Sequence, residues 1–542
     1  MKTWFTIILC IFSFVQILGQ RLEQETTVLN LGTVFENVAD SVTTLVWNRH
    51  SDTISLEEVN SFGLYDNIPY QVKWSKGKIA PGDSSELTIV FQPLHNIAHN
   101  LPVIIENSGE RGPIHYEIQA QGSYSDSYYS STENLNEQAL KTAIKSRLAS
   151  GYIQHSYNAA RDEMYMKIDN QRTNGRGATQ NTLEGMYTAR LALGYSSRSQ
   201  AQINDQFNTE HVWPQGMFNQ NLPMRSDLHH LFPTWDQANS ARGSFRFGNV
   251  TGNGSWSSGG SKLQSGVFSP RDYAKGRTAR CMMYFVLRYQ NYNNFMNAQE
   301  ADLRGWHKQF PPDAIDRKRN NDTYAFQGNK NPLVDYPQLI DRITSLSANS
   351  VAAANLSMTL VEDSINYGRV QNGSFPIYYY MIVNDGNQPL ELTNFVLTNP
   401  GLSFDIGGND VSLDPQDVHI IGVTLNNAAE GDFQAQLRFT SNVAAGQQII
   451  PITAKVEAGV GFTPSIPSTI SVYPSPVSDK LFVQWEGNHP AALVTVSDLN
   501  GRILMQSSLQ PQEVRKQLDV RALSSGVYQV QVNGWFFKFV KD

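Results

Sequence analysis

Two stretches of this chain, about 335 residues apart, carry the same punctuation. Leu31-Gly32-Thr33-Val34 is answered by Tyr367-Gly368-Arg369-Val370, Val46-Trp47-Asn48 by Ile382-Val383-Asn384, and Pro81-Gly82-Asp83 by Pro415-Gln416-Asp417. An offset kept across three landmarks marks two copies of one module. Within the copies apolar and polar residues alternate over short runs, as in Leu87-Thr88-Ile89-Val90-Phe91, with turn signals such as Ala80-Pro81-Gly82-Asp83 between them. Period-two patterning in short runs predicts antiparallel β-sandwiches over 20–125 and 350–457. Neither copy gathers reactive side chains, so both read as spacers or binding modules.

Whatever chemistry the chain performs must then lie between the copies. Residues 130–345 show helical spacing from Leu135 to Leu148 and from Ala279 to Tyr289, with Asn/Gly-rich loops between, which predicts an α+β block. Charge sets it apart as well. Residues 134–345 hold 25 Lys+Arg against 17 Asp+Glu, whereas the whole chain has a net charge of −7. A basic centre in an acidic chain suits a polyanionic partner. With 40% apolar and 11% aromatic residues, wholesale disorder is excluded.

The ends carry addresses. Lys2 precedes an apolar run from Trp4 to Leu18, then Gly19-Gln20, the pattern of a signal peptide over 1–19. Cys10 lies inside that run, which argues against a lipoprotein anchor. No other stretch reaches 18 apolar residues, so no membrane span is expected in the mature protein. Cys281 is then the only cysteine left, set among Met282-Met283-Tyr284-Phe285 as a core thiol. A Pro-punctuated linker over 458–468 leads to a small β-rich unit over 469–542. Its cues are Val472-Tyr473-Pro474-Ser475-Pro476-Val477, Val496-Ser497-Asp498-Leu499-Asn500-Gly501, Ser525-Gly526-Val527-Tyr528 and Lys538-Phe539-Val540-Lys541. In combination they resemble the C-terminal sorting domain of type IX secretion in the Bacteroidota. That resemblance implies the type IX secretion machinery as an export partner, passage through the periplasm of a two-membrane bacterium, and release or attachment at the cell surface.

Reactive side chains concentrate in two clusters, Asn208-Thr209-Glu210-His211-Val212-Trp213-Pro214-Gln215 and Met224-Arg225-Ser226-Asp227-Leu228-His229-His230-Leu231-Phe232-Pro233, the latter running on to Asn239-Ser240-Ala241-Arg242-Gly243. A zinc protease is excluded, because position 207 is Phe where a second His would be needed. The Gly/Ser-rich run from Gly252 to Lys262 lacks the Gly-Lys-Ser/Thr ending of a phosphate-binding loop and reads as a flexible loop. Thr234 and Gln237 fit a capping box with Pro233 just outside, so a helix is expected to start there and to carry Asn239 in its first turn. A strand ending in Glu-His, a loop and a helix presenting Asn suit phosphodiester hydrolysis. An imidazole titrating near about 6.5 can deprotonate water. A hard divalent cation held by one carboxylate and one amide oxygen can neutralise the phosphorane.

Glu210-His211-Val212-Trp213-Pro214, the second cluster, Lys275-Gly276-Arg277-Thr278-Ala279-Arg280 and Gln327-Gly328-Asn329-Lys330-Asn331-Pro332-Leu333-Val334-Asp335 follow one another in an order that resembles the bacterial endonuclease I family, within the His-Me finger nucleases. The two flanking modules resemble all-β immunoglobulin-like sandwiches and a small β-rich C-terminal domain closes this multidomain chain; for the block between the sandwiches the endonuclease I resemblance implies an α+β His-Me finger nuclease core. It makes His211 the general base, and Glu210 and Asn239 ligands of one Mg²⁺, or Ca²⁺ or Mn²⁺ in its place. An arginine steadies the phosphate in the family; Arg242 and Arg225 are the candidates here. His229, His230, Arg246 and Lys330 are candidate substrate contacts. Asp227 is expected to bond backbone or an arginine, and Arg317-Lys318-Arg319 reads equally as a solvated run or a phosphate contact. The expected activity is a secreted, metal-dependent, sequence-tolerant endonuclease on DNA or RNA that leaves 5′-phosphate ends. A surface adhesin or nucleic-acid binder with an inactive core is the alternative; action on small nucleotides suits the broad basic block less well.

Overall fold

The repeat in the sequence is a repeat of topology. The computed structural model describes residues 22–542 apart from 50–51, 66, 110–111, 291–293, 406–409, 427, 444–445, 459–469, 486–491, 499–501, 512 and 533–534. The signal-peptide expectation over 1–19 and nearly all of the 458–468 linker therefore lie outside the described residues. In the first sandwich one sheet orders its strands Leu22–Gln24, Asp40–Asn48, Ser84–Phe91 and Tyr70–Trp74. The facing sheet runs Val28–Phe35, Ile114–Ser123, Val103–Asn107, Ile54–Ser61 and Lys78–Ile79. The second sandwich repeats this order, with Thr359–Leu360, Ile377–Val383, Val418–Leu425 and Leu402–Asp405 against Ile365–Gln371, Gln447–Glu457, Gly431–Ser441, Leu390–Leu397 and Val411–Leu413.

The matched landmarks do matched work. Buried Asn48 donates through Nδ2 to the carbonyls of Asp52 and Ile79, and buried Asn384 to those of Gln388 and Leu413. The turns that close on them are also equivalent. Gly82 N donates to Asn48 O at 2.9 Å and Gln416 N to Asn384 O at 2.7 Å, both residues at φ 75°. Gly82 adopts that left-handed backbone without the Cβ strain that Gln416 must carry. One expectation needs amending. Each sandwich contains one parallel pair, Val28–Phe35 with Ile114–Ser123 and Ile365–Gln371 with Gln447–Glu457. These strands are far apart in the chain, so no short hairpin forces them antiparallel.

Between the sandwiches the long helix Asp272–Tyr289 forms the centre of the core, with Met282, Met283, Tyr284, Phe285, Val286 and Leu287 all fully buried. Trp213 stacks flat on Phe285, ring centroids 4.7 Å apart. Cys281 is buried here and its thiol is pushed up to about 12 by desolvation, the core role expected. Two local expectations are corrected. The Gly252–Lys262 stretch is loop only up to Ser255: beyond it Trp256–Ser258 pairs antiparallel with Ser261–Gln264 across a Gly259-Gly260 turn. The helix expected at Thr234 starts at Asp236 instead, because Thr234 belongs to the strand Leu231–Trp235 and its hydroxyl caps nothing.

The central block begins and ends at one place. Gln138 N donates to Ser350 O at 3.2 Å, and the Ser350 hydroxyl donates to the Glu137 carboxylate. The sandwiches meet each other through Ile104, Met381 and Val383, and Tyr124 of the first stacks on Tyr336 of the block at 3.8 Å. The C-terminal unit has its own core. Sheets of three and four strands enclose Leu481, Val483, Val494, Val496, Val530 and Phe539. Among the described residues no helix is long and apolar enough to cross a membrane.

Candidate active site

Strand Phe207–His211 pairs antiparallel with Leu231–Trp235, setting Glu210 opposite Phe232 and His211 opposite Leu231, and helix Asp236–Arg242 follows directly. This ββα unit is tied to its surroundings by Tyr165, whose hydroxyl donates to Asn208 O at 2.7 Å.

His211 is 5% exposed, and its Nε2 lies 3.1 Å from the carbonyl of Arg225. A carbonyl only accepts, so Nε2 carries the proton and Nδ1 presents its lone pair. Burial first, then the charges of His230, Arg225 and Arg161, pull the ring pKa down to about 3, so the imidazole is neutral at neutral pH.

Glu210 points to the other side of the strand and is 2% exposed. Its Oε1 accepts from Tyr187 OH at 2.7 Å and lies 3.4 Å from Arg242 Nε, while Oε2 makes no hydrogen bond among the described residues. Burial raises its pKa against the lowering pull of Arg242 and Tyr187. Asn239 donates through Nδ2 to Thr209 O at 3.4 Å, the residue just before Glu210, and its Oδ1 is likewise without a protein donor. One carboxylate oxygen and one amide oxygen left without donors fit a hard divalent cation that keeps much of its water. Among the described residues no group of three or more His, Cys, Asp or Glu is gathered so as to hold a metal.

The structure separates the two arginine candidates. Arg242 is 1% exposed, and its guanidinium is spent on Glu210 and the carbonyls of Val212 and Gly243. Arg225 is half-buried with no carboxylate partner among the described residues, its guanidinium 4.5 Å from the Tyr157 ring centroid. His229 and His230 are buried, each with Nε2 on a main-chain carbonyl, Asn329 and Met224 respectively. They orient the loop and reach no open surface. Arg246 bonds Ala298 O from an exposed position. Lys330 is held by Asp126 at 2.7 Å and Asp335 at 3.8 Å. Arg317-Lys318-Arg319 is likewise committed, to Val334 O, Asp322 and Asp169.

Behind the loop Asp227 is fully buried. Its Oδ2 accepts from Arg288 Nη1, Tyr284 OH and Tyr289 OH at 2.7, 2.9 and 2.8 Å, and its Oδ1 from Gln327 Nε2 at 2.8 Å and His229 N at 3.1 Å. Sequence reasoning missed Tyr187, which sits in a loop and gives no signal. It also missed Tyr157 and Arg161 on helix Tyr157–Glu163, which Ser156 caps. Their i, i+4 spacing behind a serine was the signal available.

Residues 136–338 match the family model Endonuclease I, and 471–539 match the secretion system C-terminal sorting domain. The middle block is thus a nuclease, a phosphodiester hydrolase, in a chain exported for secretion or cell-surface attachment. An extracellular ribonuclease of Bacillus subtilis is 30% identical over 240 residues, covering 40% of this chain and 78% of that protein. One of Bacillus amyloliquefaciens is 29% identical over 236 residues, covering 40% and 78%, and an extracellular deoxyribonuclease of Aeromonas hydrophila is 29% identical over 170 residues, covering 27% and 72%. The chain belongs to the Endonuclease I family.

Proposed function

We propose that this protein is a metal-dependent endonuclease that cuts DNA or RNA by hydrolysis with little sequence preference, leaving 5′-phosphate ends. The observation that carries the mechanism is the fixed tautomer of His211. With Nε2–H bound to the Arg225 carbonyl, Nδ1 is the edge that takes a proton from the attacking water. Glu210 and Asn239 would hold the cation, with Tyr187 and Arg242 fixing the Glu210 carboxylate through Oε1. A bound Mg²⁺, or Ca²⁺ or Mn²⁺ in its place, supplies positive charge against the charge that develops on phosphorus. Arg225 rather than Arg242 meets the phosphate, a reading supported by the burial of Arg242 and its bonds to Glu210 and two carbonyls. Contacts of this kind read the backbone and carry no base information, which supports sequence tolerance. Relatives described as a ribonuclease and as a deoxyribonuclease support either polymer as substrate.

The test is a digest of single-stranded DNA, duplex DNA and RNA with Mg²⁺, Ca²⁺, Mn²⁺ or EDTA. Cleavage that EDTA stops and a metal restores is the expected result; degradation indifferent to chelator removes the metal from the reading. Glu210→Ala should raise the Mg²⁺ needed for half-maximal rate by at least the roughly tenfold that loss of an outer-shell partner alone costs. An unchanged Mg²⁺ titration would take Glu210 out of the ligand set.

A further inference from the structure

Most basic side chains around the site are already paired with acids. Arg198 meets Asp162, Arg319 meets Asp169, Arg277 and Arg280 meet Asp316, and Arg176 and Arg271 meet Glu184. Arg161 and Arg225 are different. Neither has a carboxylate partner among the described residues, and each has a buried Nε with no acceptor. Among the described residues the one side-chain bond of Arg161 is from Nη2 to Asn158 Oδ1 at 2.6 Å.

The two guanidiniums share one aromatic ring. Arg161 lies 4.1 Å and Arg225 4.5 Å from the centroid of Tyr157, whose ring is 5.5 Å from that of His211. Cation–π attraction to the ring holds the two guanidiniums in place but leaves their positive charge without a counter-anion among the described residues. An anion between them and solvent would supply it. The arrangement is also rigidly placed. Tyr165, one turn beyond Arg161, bonds the strand that carries His211, and Tyr195 OH donates to Tyr165 O at 2.6 Å.

We propose that Arg161, with Tyr157 as its spacer from Arg225, seats the phosphate next to the one that is cut, so that the enzyme grips its substrate as a chain of phosphates. This rests on the nuclease reading above in placing the cut phosphate beside His211 and Arg225. It adds the helix Tyr157–Glu163 to the nucleic-acid surface and identifies the preferred ligand as a polymer with at least two consecutive phosphodiesters.

Binding without cleavage separates this seat from the chemistry. The full chain is titrated onto a fluorescent single-stranded oligonucleotide in EDTA at several salt concentrations, and the same preparations are assayed for cleavage with Mg²⁺. Arg161→Gln is expected to raise Kd about tenfold and to lower the slope of log Kd against log salt by about 0.7, the loss of one phosphate contact on a single strand. Arg161→Lys should restore most of the slope, because it keeps the charge. A slope unchanged in Arg161→Gln, or lowered equally by the Lys variant, overturns the seat even if cleavage is normal. Salt-dependent binding with the expected slopes but no cleavage by the wild-type chain leaves the seat standing and sinks the catalytic reading instead.

Discussion

His211→Ala should slow cleavage of plasmid DNA by about a thousandfold or more, while oligonucleotide binding in EDTA stays close to that of the wild type. The size follows from removing a positioned base, worth about 10²–10⁴-fold. Alanine leaves Glu210, Asn239 and Arg225 in place, so the loss should fall on kcat far more than on Kd. The ring also touches Tyr157 and Phe218, at 5.5 and 6.2 Å between centroids, and His211→Asn serves as a polar control of similar bulk. Full activity in either variant would remove His211 from the mechanism.

The second large effect concerns stability. Asp227→Ala is expected to destabilise the nuclease block by about 3–5 kcal/mol, the cost of leaving a buried partner charge uncompensated. In a block of this size that lowers its thermal transition by about 10 °C. Arg288 is 5% exposed and would lose its ion pair, and the hydroxyls of Tyr284 and Tyr289 would lose their acceptor. The same cluster sets a pH dependence. Burial pushes the Asp227 carboxyl up, but Arg288 first, then His229, His230 and Gln327, together hold it well below the ordinary carboxylate range. Its stabilising share is thus complete above about pH 4, the unfolded value, and is lost as pH falls toward the folded one. A transition that does not move in Asp227→Ala, or a wild-type chain no less stable at pH 3 than at pH 6, would contradict this account.

The places of the candidate site residues in the fold were legible from their spacing. Glu210-His211 at a strand end and Asn239 early in the next helix are local facts, set by the hairpin between them. What spacing could not decide is which side chain has charge to spare. Arg242 and Arg225 look alike in a motif, yet one is consumed by Glu210 and two carbonyls and the other faces an aromatic ring. That difference comes from long-range neighbours. The same holds for Tyr187, which fixes Glu210 from a loop 23 residues earlier. The capping box at Thr234 misled for a related reason. Pairing with Asn208 kept that residue in a strand, and pairing outweighed the cap.

The clasp between Glu137, Gln138 and Ser350 has a mechanical consequence. Force entering along the backbone through the second sandwich reaches the first across this junction and the Ile104–Met381–Val383 contact, without passing through the hairpin that carries His211. A pull applied between the two sandwiches would therefore load the β-modules as a frame. The cutting site hangs from that frame like a tool from a bracket, outside the line of tension.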